Sequence, residues 1–208
     1  MNIKAFCLLL VAAFSAGVQY SWANPNILHF PQAKQAPAEV YALIEIPAGS
    51  TTKYEIDAQT GFLMLDRFQS MPVAYPANYG TLPSTMAGDG DPLDVLVYTR
   101  APVVPGALIK VRPIGLLRML DDGEQDDKVI AVPTNKVDPT FDNIIDIGDL
   151  PIIERERLLS FFQIYKDLPK GRKKVKVEAL QGHGKAQAAI REALGRYKKP
   201  GQTLQQAP

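Results

Sequence analysis

The chain has 208 residues, 46% of them hydrophobic, and its 23 Lys and Arg against 22 Asp and Glu give a formal charge of +1. This length suits one domain with a substantial core. The near-neutral balance argues against a generic basic surface for nucleic acid, so we predict no nucleic-acid partner. The charges are nevertheless clustered, with acids at 89–94 and 121–127 and bases at 170–176.

Residues 1–23 have the composition of a signal peptide. Lys4 supplies a positive start, and the apolar stretch that follows it is too short to span a bilayer. The small residues of Ser21-Trp22-Ala23 predict cleavage before Asn24. We therefore predict a periplasmic or secreted protein whose single domain is 24–208 and which has no membrane attachment after cleavage. An uncleaved N-terminal anchor is the alternative.

Short apolar segments separated by Pro and Gly predict β-strands through the first two thirds of the chain. An irregular lead-in with three prolines comes before them. The predicted strands are 40–46, 53–56, 62–68, 95–98, 107–111, 114–120 and 129–132.

The pattern changes to helical spacing near residue 149. Asp149 can cap a helix that has Pro151 in its first turn, and an apolar face follows at Leu158, Phe161, Phe162 and Tyr165. A second helix is predicted around 185–197. Strands first and helices after them predict an α+β domain built on a small closed or nearly closed sheet.

The segment Asp89-Gly90-Asp91-Pro92-Leu93-Asp94 carries three carboxylates in six residues. Carboxylates crowded in this way repel one another unless a cation neutralises them, and hard, oxygen-seeking Mg²⁺ is the natural partner. An EF-hand would need a Glu at the twelfth position, where Arg100 stands. A solvent-exposed polar turn is the other interpretation, since Asp, Gly and Pro are common in turns.

A second acidic cluster, 121–127, lies between two predicted strands and ends beside Lys128. Alone, it is more typical of a solvated hairpin loop. Two such loops in one small domain, one of them next to a lysine, indicate a phosphoryl-transfer site, in which metal ions and cationic side chains share the charge of the substrate.

Further short motifs bring acids, bases and phenols to predicted strand and helix ends. Each alone is typical of a surface ion pair, a core tyrosine or a lysine at a helix end. Together they resemble soluble family I inorganic pyrophosphatase, and the resemblance covers residues 40 to about 178. The motifs, in the order of the family, are E-I-P from Glu45, K-Y-E from Lys53, D-R-F from Asp66, Y-P-A-N-Y-G from Tyr75, D-G-D-P-L-D-V from Asp89, R-P-I-G from Arg112, D-x4-D-x-K from Asp121, A-V-P from Ala131 and Y-K-D-L from Tyr165.

The resemblance implies a role for each charged or phenolic residue of these motifs. Asp91 corresponds to the general base that orients or deprotonates the attacking water. The metal ligands correspond to Asp89, Asp94 and Asp126, with Asp121 and Asp126 holding the metal that arrives with substrate. The phosphate cradle corresponds to Lys53, Arg67, Lys128, Tyr165 and Lys166, with Tyr79 also on the substrate, and the supporting residues are Glu45, Glu55, Tyr75 and Tyr79.

The resemblance also implies a fold, a cofactor and an assembly. The fold is a small OB-like β-barrel with helices packed outside it, mostly from the C-terminal part. The reaction is Mg²⁺-dependent hydrolysis of pyrophosphate to two orthophosphates by direct attack of a metal-bound water, with several ions in each site. The implied assembly is a homo-oligomer, a hexamer by resemblance, although Ser160 and Ile164 stand where bacterial hexameric members often have histidines.

Two other classes of protein remain as alternatives. A non-catalytic OB-like module that binds a phosphate-bearing or saccharide ligand would have lost some of the charged site residues. A calcium-stabilised structural protein would have oxygen ligands without the Lys, Arg and Tyr residues of the phosphate cradle.

Overall fold

The computed structural model describes residues 26–172 and 174–197, so the predicted signal peptide and its cleavage site lie outside the described residues. Short 3-10 helices occur at Ile27–His29, Pro139–Phe141 and Ile147–Asp149. The strands are β1 Val40–Ile46, β2 Thr52–Ile56, β3 Leu63–Phe68, β4 Asn78–Thr81, β5 Asp94–Val97, β6 Leu108–Asp121, β7 Glu124–Gln125, β8 Lys128–Pro133 and β9 Val175–Gly182, and the helices are α1 Ile152–Ile164 and α2 His183–Arg196.

The main sheet contains seven of these strands and is mixed in direction. Its pairings run β1–β4–β5–β8–β6, and β1 also pairs with β6, so the series of pairings returns to its first strand. Strands β7 and β9 both pair with β6, while β2 and β3 form a separate hairpin. With two α-helices packed on a sheet-dominated domain, the fold is α+β, as predicted.

Most of the apolar runs form buried strands, with β3 as the exception, since five of its six residues are exposed. In β1 every residue but Tyr41 is buried, which explains its nearly continuous apolar sequence. The two strands predicted on either side of Pro113 are one strand, β6, and that prediction was wrong. A register shift between Pro113 and Gly115 in the pairing with β8 forms a bulge that accommodates the proline.

Three strands were not predicted, one of which is the two-residue β7. Strand β4 is short and contains Gly80, which the close approach of β1 requires, because a Cβ there would lie 1.9 Å from the backbone oxygen of Leu43. Strand β9 was hidden by the basic run, although Val175 and Val177 alternate with charged residues in the way that an edge strand does.

Helix α1 was predicted correctly except at its start. Pro151 is the N-cap residue, without a side-chain cap, and Asp149 instead belongs to a 3-10 turn where it forms a capping box with Asp146. The predicted apolar face is confirmed, because all four of its residues are buried in one core cluster. In the described part of the chain, neither helix is long and apolar enough to cross a membrane.

Candidate active site

A cavity of about 700 Å³ opens between the β2–β3 hairpin, one end of the main sheet and the end of α1. All fourteen residues predicted for the site line it. They are Glu45, Lys53, Glu55, Arg67, Tyr75, Tyr79, Asp89, Asp91, Asp94, Asp121, Asp126, Lys128, Tyr165 and Lys166. The fold therefore brings together motifs that are spread over about 120 residues of sequence.

The hairpin brings two cations to one wall. Lys53 on β2 and Arg67 on β3 are directly paired across the hairpin, an arrangement that like charges normally oppose. Asp66 lies between them, with its Oδ2 atom 2.9 Å from the Lys53 Nζ and 2.5 Å from the Arg67 guanidinium. Burial lowers the pKa of Lys53 more than this partner raises it. The cations are thus held close together, which suits an oxyanion ligand.

Another wall is built on the parallel pair β5–β8. Asp94 and Lys128 begin these strands and are direct partners in the register. The buried Lys128 ammonium forms ion pairs with both Asp94 and Asp126. Burial by itself lowers the pKa of Lys128, but these two charges outweigh it, so that the pKa is raised and the side chain stays cationic.

The second acidic cluster is folded into a tight hairpin. Strands β6 and β7 are joined through Asp122 and Gly123, both of which have positive φ, as a two-residue hairpin turn requires. Asp121, at the end of β6, forms an ion pair with Lys166, the second residue after α1. The other carboxylate oxygen of Asp121, Oδ1, is buried without a hydrogen-bond partner among the described residues.

The first acidic loop is open to solvent. Gly90, at φ +94°, makes the turn, and the Asp91 backbone N–H donates to the Asp89 carboxylate at 3.0 Å. Partial burial, then the negative charges of Asp89 and Asp94, raise the pKa of Asp91. A carboxylate with a raised pKa is a stronger proton acceptor than an ordinary aspartate.

Glu45 sits at an irregularity of β1. The pairing with β4 shifts register between Ile44 and Ile46, so the strand bends and aims Glu45 into the cavity. Its carboxylate accepts a hydrogen bond from the Ile56 backbone N–H at 3.0 Å. Burial, reinforced by the charge of Asp94, raises its pKa to about 8. Glu45 is therefore largely protonated at neutral pH and can donate a hydrogen bond.

Three tyrosines complete the lining, of which Tyr75 and Tyr165 are buried and Tyr79 is partly buried. Tyr75 packs edge-on against Tyr79, and Tyr165 belongs to the same aromatic cluster through Phe161. Burial is the main cause that raises the pKa of all three phenols, with Asp94 adding to it. They therefore stay protonated and present O–H donors to the cavity.

Several lining residues were missed by the sequence analysis. Glu124 and Gln125 lie inside the second acidic cluster, so the charge pattern could have pointed to them. The apolar ones had no sequence signal. Those are Leu28, Ile56, Ala58, Met64 and Phe162.

The lining is suited to cations as well as to phosphate. Nine carboxyl groups but only four cationic side chains face the cavity, so a polyanion would be repelled unless metal ions supplied positive charge. Within residues 26–172 and 174–197, no three His, Cys, Asp or Glu side chains are grouped so that they could hold a metal ion. Asp94, Asp121 and Asp126 form ion pairs with Lys128 and Lys166. The oxygen donors and the partnerless Oδ1 of Asp121 nevertheless fit a hard divalent cation.

A family model described as inorganic pyrophosphatase matches residues 42–198, about three quarters of the chain. The chain belongs to the inorganic pyrophosphatase family. The match extends beyond the stretch recognised from the motifs, because it includes β9 and α2.

Individual members of the family are similar to this chain over most of their own length. The inorganic pyrophosphatase of Aquifex pyrophilus is 48% identical over 82% of this chain and 96% of its own. The inorganic pyrophosphatase of Escherichia coli K12 is 44% identical to this chain over 83% of this chain and 98% of its own length. The crystal structure of the Thermus thermophilus inorganic pyrophosphatase superposes with a TM-score of 0.79 at 41% identity and covers 84% of this chain and 99% of that one.

Proposed function

We propose that the chain is an exported, Mg²⁺-dependent inorganic diphosphatase that hydrolyses pyrophosphate to two orthophosphates. The observation that carries this proposal is the convergence of all fourteen predicted residues on one cavity of about 700 Å³. The membership of the family and the activity named for its relatives support it. The alternatives without catalysis are disfavoured, because carboxylates, cations and phenols all face the same cavity.

Metal binding would fall to the carboxylates of the two acidic loops. The residues that would hold the ions are Asp89, Asp94, Asp121 and Asp126. Bound Mg²⁺ would neutralise the excess carboxylate charge and polarise the phosphoryl oxygens. Lys128 and Lys166 now form ion pairs with three of these carboxylates, so ions would release both ammonium groups towards the phosphates.

The other side chains of the cavity bind the phosphates, accept the proton of the water and donate hydrogen bonds to the leaving group. On the hairpin wall, Lys53 and Arg67 bind phosphate oxygens through charge-assisted hydrogen bonds. Asp91 takes the proton from the attacking water. The phenol of Tyr79 can donate a hydrogen bond to an oxygen on which negative charge increases as the bridging bond breaks. These groups are fixed before the reaction, so little reorganisation accompanies it.

Phosphate release from Mg²⁺ pyrophosphate by residues 24–208 tests the activity directly. We expect turnover with Mg²⁺ and its loss after exhaustive chelation with EDTA, because the lining carries more negative than positive side chains. Added Mg²⁺ should restore the rate. A monoester such as p-nitrophenyl phosphate is the control and should be hydrolysed far more slowly. Full activity without any divalent metal would contradict the proposal.

Export is proposed from the sequence of residues 1–23. We expect the mature protein to begin at Asn24, because small residues stand at Ser21 and Ala23 after the apolar run. Cell fractionation followed by N-terminal sequencing measures both location and cleavage. Ala23→Leu is the matched control, since a large residue beside the bond should block cleavage. An intact Met1 on cytoplasmic protein would refute this part of the proposal.

The shape and assembly are proposed by resemblance. The returning pairings β1–β4–β5–β8–β6–β1 support an OB-like barrel as the framework of the domain. For the assembly we propose a homo-oligomer, with the hexamer as the expected form. Sedimentation measures its mass.

A further inference from the structure

We propose that Asn26 is a positioning residue, which holds the tip of the β2–β3 hairpin against the rest of the domain and so keeps the phosphate-binding side chains Lys53 and Arg67 facing the catalytic cavity. The inference rests on the proposed function, because it concerns how the cavity binds Mg²⁺ pyrophosphate. Asn26 lies in the irregular lead-in before β1, a segment outside all the sequence motifs.

The β2–β3 hairpin has few buried contacts to hold its orientation. Its strands form a sheet of their own, and neither strand contains a buried residue. At its base, the Gly49 backbone N–H donates to the Tyr75 carbonyl oxygen and the Tyr75 N–H donates to that of Ser50. Midway along β2, the Ile56 backbone N–H donates to the Glu45 carboxylate. An element with so little burial depends on such hydrogen bonds for its position.

The tip of the hairpin, residues 57–62, is held by Asn26. The Asn26 Nδ2 atom donates a hydrogen bond to the Ala58 carbonyl oxygen at 2.8 Å. Gly61 packs on the same side chain, since a Cβ at Gly61 would lie 2.9 Å from the Asn26 Oδ1 atom. Among the described residues, the bond from Asn26 is the only hydrogen bond that joins the tip to a residue outside the hairpin. The position of the tip therefore depends on this contact.

The lead-in that carries Asn26 is itself anchored to the domain. Leu28 is buried and lines the catalytic cavity, and its carbonyl oxygen accepts a hydrogen bond from the Ser84 backbone N–H at 2.8 Å. The Ser84 hydroxyl donates to the Phe30 carbonyl oxygen at 2.9 Å. Ser84 lies a few residues before the first acidic loop. The lead-in thus connects the hairpin tip to the part of the chain that carries this loop.

The Asn26 side chain makes two contacts that a substitution can separate. Its Oδ1 atom accepts a hydrogen bond from the Leu28 backbone N–H at 3.0 Å and so caps the 3-10 turn, whereas its Nδ2 atom holds Ala58. Serine is also a preferred N-cap residue, but it has no amide group and its side chain is one bond shorter. Asn26→Ser should therefore keep the cap and lose the link to the hairpin.

Loss of this link should weaken substrate binding more than it slows the chemical step. Lys53 and Arg67 bind phosphate oxygens in the substrate as well as in the transition state, so a less firmly held hairpin raises KM. For Asn26→Ser we expect KM for Mg²⁺ pyrophosphate to rise by about three- to tenfold, the scale of one hydrogen bond, while kcat stays within about twofold. Initial rates of phosphate release at saturating Mg²⁺ measure both, with residues 24–208 carrying no tag at the N-terminus.

Hydrogen exchange gives a second readout that does not depend on activity. In the tip, the Asp57 backbone N–H donates to the Phe62 carbonyl oxygen and the Gly61 N–H donates to that of Asp57. Amide exchange in residues 57–62, followed by mass spectrometry, should be faster in Asn26→Ser than in the wild type, because the tip opens more often once its link is lost.

The control is Tyr197→Phe, which deletes a different hydrogen bond of the same lead-in. The Tyr197 hydroxyl lies 2.8 Å from the His29 Nδ1 atom, at the end of α2 and away from the hairpin. This variant should leave KM, kcat and the exchange of the tip unchanged, which separates the link to the hairpin from a general loosening of the lead-in.

Three results would overturn the inference. An active wild type with an Asn26→Ser variant of unchanged KM and unchanged tip exchange would show that the hairpin is held without Asn26. A fall in kcat at constant KM would show an effect on the chemical step instead. The same rise in KM in Tyr197→Phe would show that the lead-in is only a structural support. A wild type that does not hydrolyse pyrophosphate would refute the proposed function, and the exchange of the tip would still decide whether Asn26 holds the hairpin.

Discussion

Asp91→Asn should lower turnover by about 10²–10⁴-fold, or roughly 3–5 kcal/mol of barrier, even at saturating Mg²⁺. The amide is nearly isosteric, and the loop turn depends on the Asp91 backbone N–H, which the substitution leaves in place. What is lost is the proton acceptor, because an amide cannot take the proton of the attacking water. The rate of phosphate release, titrated with Mg²⁺, measures the effect, and circular dichroism shows that the variant is folded.

Asp126→Asn is the matched control, because it changes another carboxylate of the same cavity in the same way. An amide oxygen is a weaker, uncharged ligand, so this variant should need more Mg²⁺ and recover part of its rate when Mg²⁺ is raised. Asp91→Asn should not recover. If saturating Mg²⁺ restores Asp91→Asn to the wild-type rate, then Asp91 acts mainly as a ligand and the assignment of the base is wrong.

Lys128→Met should affect both stability and activity. The Lys128 side chain is only 3% exposed, and its loss leaves the carboxylates of Asp94 and Asp126 beside each other without their cation. Breaking a buried ion pair costs about 3–5 kcal/mol. The lower end applies here, because these carboxylates keep 26% and 19% of their exposure. We expect a fall in Tm of roughly 6–12 °C and a rate loss on the order of 10²-fold or more.

Two comparisons separate the effects of Lys128→Met. Mg²⁺ should restore part of the lost Tm, since the ion can neutralise the two carboxylates, but it should not restore the rate, because the phosphate loses a donor. Lys53→Met is the control. It removes a cation from the hairpin, which lies outside the main sheet, and should lower the rate with a much smaller change in Tm. Equal losses of Tm in the two variants would contradict this account.

Much of the fold was predictable where burial and periodicity agreed. Strand β1 was predicted because its apolar run ends at Pro47 and Gly49, and the apolar face of α1 was predicted because its residues recur at helical spacing. Strand β4 was not, because its sequence is shaped by a neighbour: Gly80 is needed for the approach of Leu43, and no local pattern reports that. Pro113 likewise indicated a break that the bulge in β6 makes unnecessary.

The residues of the candidate site were predictable from short motifs, but the contacts between them were not. Nothing in the sequence says that Lys128 pairs with Asp94 across parallel strands, or that Lys166 forms an ion pair with Asp121. These contacts depend on long-range packing. The raised pKa of Glu45 likewise comes from burial at a strand irregularity, which only the assembled sheet creates.

The pairings of β1 determine when this chain can fold. Its C-terminal half pairs with β4, around residues 79–81, and its N-terminal half pairs with β6, at 108–111. During synthesis, this mostly apolar strand therefore has no partner until more than 30 further residues have been made, and lacks its second partner until more than 60 have been made. Such non-local pairing slows folding and leaves both edges of β1 open to other chains. We therefore expect the nascent chain to be prone to aggregation through β1 until β6 has been made.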